Sequence, residues 1–135
     1  MMDKNKQPGI RFKNVILKNL SFSREAVVSN DKPLDISFNC QRKISSDTKK
    51  LVVILECTVK EPAASFNINC SIIGFFEADE ASANMSLEQF AEENAPGFLF
   101  PYMREIISST TLKAGINPVM LPPVNIRAML KKNKE

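Results

Sequence analysis

The sequence contains no histidine and no tryptophan, and only four of its 135 residues are glycine. Histidine is the usual general base near neutral pH, and a nucleophilic cysteine or serine generally needs such a base beside it. None of the glycines falls in a GxGxxG or GxxxxGK phosphate-binding pattern. We therefore predict that the protein is not an enzyme and that it uses no cofactor.

Cysteine is also scarce, and its spacing is not that of a metal or redox site. The three cysteines, Cys40, Cys57 and Cys70, are odd in number and form no CxxC pair. Each lies at an apolar position of a strand-like segment, so we interpret them as small buried hydrophobes in a reducing compartment. The carboxylates within residues 77–80 are interpreted as part of a solvated loop rather than a cation site. No metal site is predicted.

The low net charge and the short apolar runs argue against two further classes, nucleic-acid-binding proteins and proteins inserted into or exported across a membrane. The net charge is only +3, with a pI of about 8.8, which is weak for a dedicated nucleic-acid binder. The N-terminus is polar and lacks the apolar stretch of a signal peptide, and no apolar run is long enough to span a membrane. We expect a cytoplasmic protein without membrane insertion or nucleic-acid binding. It should comprise a flexible tail at 1–9, one domain at 10–132 and a C-terminal tail at 133–135.

Alternating apolar and polar residues predict four strands, at residues 10–23, 34–42, 51–60 and 65–76. The second is the cleanest, with Ile36, Phe38 and Cys40 on one face. The first carries apolar residues of both parities, so it is either bulged or covered on both faces. Gly74 interrupts the fourth strand, which indicates a bulge or a close backbone approach. One apolar face on each strand predicts an antiparallel sheet that needs a cover.

The second half of the chain predicts that cover. Ser86 with Gln89 resembles a capping box for a short helix at 86–94. A longer helix should follow at about 96–114, with a stop at Gly115. Pro101 does not suit a helix interior, so we expect a kink there or a later start. Asn125 can cap a final helix. The layout is therefore α+β, with helices packed on one face of the sheet.

An unusual loop at 116–124 separates the last two predicted helices. It is apolar and contains three prolines, whereas surface loops are generally polar. Its side chains are therefore either buried, in the core or at an oligomer interface, or they form a groove for extended apolar segments. The residues alone do not decide between these two interpretations of the loop.

Several motifs resemble one family. Residues 98–105, Phe-Leu-Phe-Pro-Tyr-Met-Arg-Glu, resemble the Leu-Phe-Pro-Tyr-Ala-Arg-Glu stretch of the SecB export chaperones. Residues 121–125, Leu-Pro-Pro-Val-Asn, are similar to the family's Leu-Ala-Pro-Val-Asn. Leu-Ser-Phe at 20–22 and Ile-Gly-Phe-Phe at 73–76 resemble its first and fourth strands. The matches cover about residues 10–130 in the family's order.

The resemblance implies a four-stranded antiparallel sheet backed by helices, assembled as a dimer of dimers. It implies an ATP-independent holdase that binds exposed hydrophobic segments of non-native proteins or preproteins, for protein export through the SecA motor. Carried over by motif, the client-binding groove would comprise Phe75, Phe76, Met120, Leu121, Val124, Ile126, Met129 and Leu130. The oligomer interface would comprise Tyr102, Ile106, Ser109 and Leu112.

One departure from the family bears on its partners. SecB proteins are acidic and offer SecA carboxylates on the outer face of the sheet, whereas this chain is basic. Its corresponding positions are Asn19, Ser23, Asn67 and Asn69. Docking to SecA is therefore expected to be weak or absent, and SecA is left open as a partner. The alternative is a SecB-like chaperone or adaptor dedicated to one partner, such as the antitoxin of a toxin–antitoxin system. A carrier of a small hydrophobic ligand is a third hypothesis.

Overall fold

The computed structural model describes residues 9–28, 33–63, 65–79 and 86–121. Its elements are β1 (Ile10–Arg24), β2 (Asp35–Ile44), β3 (Lys50–Lys60), β4 (Phe66–Ala78), α1 (Leu87–Glu93) and α2 (Ala95–Lys113). The α+β prediction is confirmed, and each predicted strand agrees to within two residues. The predicted final helix lies outside the described residues, as do both tails apart from Gly9.

The four strands form one antiparallel sheet in the order β1-β4-β3-β2. Strands β1 and β2 are therefore the two edges, although they are consecutive in the sequence. The turn from β2 to β3 is held by Asp47, whose carboxylate accepts hydrogen bonds from the Ser45 hydroxyl and the Lys49 amide. These bonds lower the pKa of Asp47.

Strand β1 is bulged, which confirms the first of the two predicted alternatives. Its register with β4 shifts between Phe12 and Asn14, and again between Leu17 and Asn19. A bulge inserts one residue and so changes which side chains face the core. The first shift leaves Phe12 and Leu17 on the core face, opposite Phe76 and Ile72, and puts Ile16 on the other face, opposite Ile73.

The core lies on one face of the sheet, beneath both helices. In β3 and β4 alternate residues are buried and the residues between them are more exposed. The buried side chains of the two strands are Leu51, Val53, Leu55, Cys57, Val59, Phe66, Ile68, Cys70, Ile72 and Phe76. Burial raises the pKa of Cys57 to about 12 and that of Cys70 to about 11. These two thiols therefore stay protonated and pack as small hydrophobes, as predicted.

Gly74 brings α2 close to β4. A Cβ at this position would lie 2.5 Å from Cδ2 of Leu99 on α2. A close backbone approach was predicted for Gly74, and the structure instead shows a close approach by the Leu99 side chain. The two register shifts are on the neighbouring strand β1, on either side of Val15, the partner of Gly74.

The helix signals are largely confirmed. Ser86 caps α1, and its hydroxyl accepts the Gln89 amide at 3.1 Å. The Gln89 side chain bonds Glu93 on the next turn. Helix α2 begins at Ala95 and continues through Pro101, so the later start was wrong. Pro101 is on the exposed side of α2, where water can reach the carbonyl it cannot bond.

Candidate functional site

The loop after α2 is fixed by the end of that helix. Gly115, with φ of +74°, ends the helical path, and the Ile116 amide donates to the Thr111 carbonyl at 3.0 Å. The fully buried Thr111 hydroxyl accepts the Val119 amide at 2.9 Å and donates back to α2. Loop and helix are therefore joined by a hydrogen-bonded hydroxyl inside the core.

Arg24, at the end of β1, fastens the same corner from outside. Its guanidinium donates to the carbonyl of Ala114 at 2.5 Å and to those of Glu25 and Ala26. A cation at this point also faces the negative end of the α2 dipole. The start of the loop is thus held relative to β1 as well as to α2.

The loop has both buried and exposed side chains, which correspond to its two predicted roles, core packing and lining of a groove. Ile116, Val119 and Leu121 are 7%, 8% and 1% exposed and join the core, whereas Met120 is 59% exposed. Leu121, predicted for the groove, is therefore a core residue here. Met120, predicted for the same groove, is a surface residue.

A groove lies between this loop and the β2 edge of the sheet. Its volume is about 380 Å³, and its lining comprises Leu34, Ile36, Phe66, Ile116, Asn117, Pro118, Val119 and Met120. Apolar side chains form most of this wall, and Met can repack around different shapes. Because β2 is an edge, the backbone groups on its outer side have no strand partner within the described sheet. The groove can therefore offer an extended chain both apolar contacts and backbone hydrogen bonds.

Sequence reasoning missed the strand side of this groove. Ile36 was assigned to the apolar face of its strand, and its partial burial agrees with that; Leu34 is also partly buried and Phe66 is buried. The sequence pattern does not reveal that β2 is an edge, because strand order depends on pairing between distant segments. The sequence did contain one signal for the groove: the second strand begins with apolar residues, and the loop at 116–124 is also apolar.

Phe75 and Phe76, predicted together for the groove, lie on opposite faces of the sheet. Phe76 is 2% exposed and packs in the core, with its ring centroid 5.1 Å from Phe12, 5.2 Å from Phe90 and 6.1 Å from Phe98. Phe75 is partly exposed on the face away from the helices. Neither lines the groove beside Met120.

The residues predicted for the oligomer interface occupy two neighbouring hollows on α2. Tyr102 and Ile106 line one of about 300 Å³ against β1, together with Leu17. Ser109 and Leu112 line another of about 480 Å³, which reaches Met120. The Ser108 hydroxyl contacts the Met120 sulfur at 3.4 Å, so this second hollow adjoins the groove.

The groove and the two hollows on α2 are lined largely by apolar side chains. Among the described residues, no group of three or more Cys, Asp or Glu side chains is arranged to hold a metal ion. The described part of the chain also has no helix with the length and apolarity needed to cross a membrane. Four residues predicted for the groove, Val124, Ile126, Met129 and Leu130, lie outside the described ranges and stay predictions.

Comparison with known proteins agrees with this α+β arrangement. The family model described as "Preprotein translocase subunit SecB" matches residues 3–135. An uncharacterised protein of Methanocaldococcus jannaschii is 31% identical over 133 residues, covering 93% of this chain and 85% of that protein. The protein-export protein SecB of Dechloromonas aromatica is 27% identical over 135 residues, covering 95% and 88%.

The fold is shared with a solved SecB-like structure. A SecB-like chaperone of Mycobacterium tuberculosis, in complex with a ChAD peptide from the HigA1 antitoxin, matches with a TM-score of 0.72 and 15% identity. The match covers 86% of this chain and 88% of that one. The sheet with helices on one face is thus of the SecB-like class. Since the family model spans nearly the whole sequence, the chain belongs to the SecB family.

Proposed function

We propose that this protein is an ATP-independent holdase chaperone of the cytoplasm, which binds exposed hydrophobic segments of non-native polypeptides. The observation that carries the proposal is the apolar groove beneath the loop, with Met120 59% exposed at its wall. Met120 lines this groove and the adjoining hollow on α2, and a contiguous exposed apolar surface commonly marks an interaction site. Membership of the SecB family supports the same conclusion.

Binding in this proposal needs no chemical step. A client segment removes apolar surface from water, which contributes roughly 25 cal/mol per Å² buried. An extended segment could also pair with the outer backbone of β2. Individual sites of this kind are weak, so several sites on one assembly would raise the affinity through avidity.

Self-association is part of the proposal. The hollow lined by Leu17, Tyr102 and Ile106 combines apolar side chains of β1 and α2. Leu17 and Tyr102 are 51% and 45% exposed in the single chain. We assign this surface to a second copy of the protein, and the hollow at Ser109 and Leu112 to a further contact in a dimer of dimers.

The experiment is suppression of aggregation of a chemically denatured client, followed by light scattering without nucleotide. The wild-type protein should suppress aggregation at an equal molar ratio, and Met120→Asp should weaken this severalfold. Val27→Asp is the matched control, because Val27 is 81% exposed and lines none of the three hollows described above. Failure of the wild type to suppress aggregation would contradict the proposal, as would an equal loss in both variants.

A dedicated partner is the second candidate function. It is favoured by the outer face of β1 and β4, where Asn19 pairs with Ser71, Asn69 with Ser21 and Asn67 with Ser23, so that these pairs contain no carboxylate. Electrostatic docking to SecA would then be weak. The Mycobacterium tuberculosis neighbour binds a peptide from an antitoxin, which gives this candidate a precedent on the same fold. A pull-down that recovers a single client would favour it, and a broad set of clients would favour the general holdase.

A further inference from the structure

The sheet face opposite the helices has a polar half and an apolar half. In the polar half, Asn19, Ser71 and Glu56 align across three strands. In the apolar half, Ile16, Ile73 and Ile54 align across the same strands, and Phe75 lies beside Val52 in the next row. We call the five side chains Ile16, Val52, Ile54, Ile73 and Phe75 the outer patch.

The outer patch is accessible. Ile16 is 44% exposed, and the other four members are partly exposed. Both described helices pack on the opposite face, where Leu99 meets Gly74. A contiguous apolar surface of five side chains on one sheet face is more than scattered surface hydrophobes, and such surfaces usually mark interaction sites.

Positive charge borders the outer patch at one end. Glu77 stands opposite Arg11 on one side and Lys50 on the other, and it forms an ion pair with Lys13 at 4.0 Å. One carboxylate therefore faces three cations. Lys43 adds a fourth, as the cross-strand partner of Val52.

The nearby loop ends do not cancel this charge. Lys49 and Asp47 lie in the adjoining turn, where the Asp47 carboxylate is engaged by Ser45 and by the Lys49 amide. Asp79 follows the end of β4. With these included, the described residues at this end of the sheet comprise five cations and three carboxylates.

The polar half of the same face differs in charge. Among the described residues it carries Asp35, Glu56 and Lys60, with Lys18 in the β1 bulge at its border, so carboxylates and cations are balanced there. The cationic border thus accompanies the apolar half specifically. The positive charge and the apolar side chains together define the chemistry of a partner that would cover the outer patch.

We propose that the outer patch docks a partner protein through an acidic segment that carries apolar side chains between its carboxylates. The apolar side chains would cover the outer patch, and the carboxylates would meet Lys43, Lys50 and Arg11. Complementary charge accelerates such an encounter and selects against basic partners, while apolar burial supplies the affinity. A nucleic acid fits less well, because the centre is aliphatic and the cations border only one end.

The test uses a fluorescein-labelled peptide in which Glu and Leu alternate, with a peptide of alternating Lys and Leu as its counterpart. Fluorescence anisotropy at low salt should show that the wild type binds the Glu peptide more tightly. Lys43→Glu should weaken this binding at least threefold. Lys60→Glu, the same charge change in the polar half, should leave it unchanged.

Two further variants separate this site from the groove. Ile73→Ser should weaken binding of the Glu peptide, whereas Met120→Ser should not; circular dichroism checks that each variant is folded. Equal binding of the Lys peptide, or a loss with Met120→Ser equal to that with Ile73→Ser, would overturn the proposal. So would failure of the Glu peptide to bind while single-stranded DNA or phosphatidylglycerol vesicles bind in a Lys43-dependent manner. None of these outcomes depends on holdase activity.

Discussion

The two edge strands of the sheet, β1 and β2, both carry apolar residues, but these residues form different surfaces. At the β2 edge, Leu34 and Ile36 turn under the helix layer and meet the loop at 116–121, leaving a groove. At the β1 edge, Leu17 lies on the helix face, opposite Ile72, and lines a hollow with Tyr102, whereas Ile16 lies on the other face, opposite Ile73. Regular alternation produces one buried face, whereas bulged alternation produces a second apolar surface. We therefore assign client binding to the β2 edge and assembly to the β1 edge.

A substitution at Gly74 should have the largest effect on stability, because this residue sets the distance between α2 and the sheet. A Cβ there would lie 2.5 Å from one methyl carbon of Leu99, 3.2 Å from the other and 3.1 Å from the Phe76 ring. Both neighbours are buried, so relief requires the core to move. Gly74→Ala should lower the free energy of unfolding by about 3 kcal/mol.

Gly97→Ala is the matched control for Gly74→Ala. A Cβ at Gly97 would meet nothing within 4 Å, and alanine in a helix interior is favoured over glycine by up to about 1 kcal/mol. Urea denaturation of both variants measures the difference. Equal stability of the two variants would contradict the close packing of α2 on β4.

Leu17→Asp should separate assembly from client binding. Burying a leucine at an interface contributes about 2 kcal/mol, so the change should weaken self-association by more than tenfold. Size-exclusion chromatography with light scattering measures the mass, and Val27→Asp is the control at an exposed apolar site outside the hollow. An unchanged mass together with lost client binding would reverse our assignment of the two edges.

Thr111→Val should loosen the groove wall while preserving side-chain shape. It removes the acceptor of the Val119 amide, which lies in the core. An unsatisfied buried amide costs about 1.5 kcal/mol, and the loop should exchange its amide hydrogens faster. Thr111→Ser keeps the hydroxyl and should retain slow exchange at Val119. Slow exchange at Val119 in the valine variant would show that the hydroxyl does not hold the loop.

Arg24→Ala should have the smallest effect, since its bonds to the Ala114, Glu25 and Ala26 carbonyls lie at the surface. A cation at a helix C-terminus contributes about 0.5 kcal/mol when exposed to solvent. Arg24→Lys keeps the charge without the forked geometry of the guanidinium. Its thermal stability should lie between those of the wild type and Arg24→Ala. A lysine variant as unstable as the alanine variant would assign the effect to the hydrogen bonds alone.

Local features of the fold were predictable because they depend on neighbouring residues. Alternation in residues 34–42 located β2, and Ser86 and Gly115 marked helix ends. Phe75 and Phe76 could also have been separated by the same reasoning. Strand periodicity places adjacent residues on opposite faces, and β4 keeps that periodicity through Gly74.

The site was less predictable because its walls come from distant parts of the chain. The position of β2 at an edge follows from β4 pairing with both β1 and β3. No local pattern contains that information. Likewise, the loop places Val119 in the core, with its amide bonded to Thr111, and leaves Met120 exposed, a division that the apolar sequence of the loop does not show.

The most direct measurement of the central claim is photocrosslinking from position 120. A benzoylphenylalanine introduced at Met120, and in separate variants at Leu17 and Val27, would be irradiated with an unfolded client bound to the assembled protein. We predict crosslinks to the client from position 120, crosslinks between protein copies from position 17, and neither from position 27. Client crosslinks from position 17 with none from position 120 would contradict the assignment of the groove.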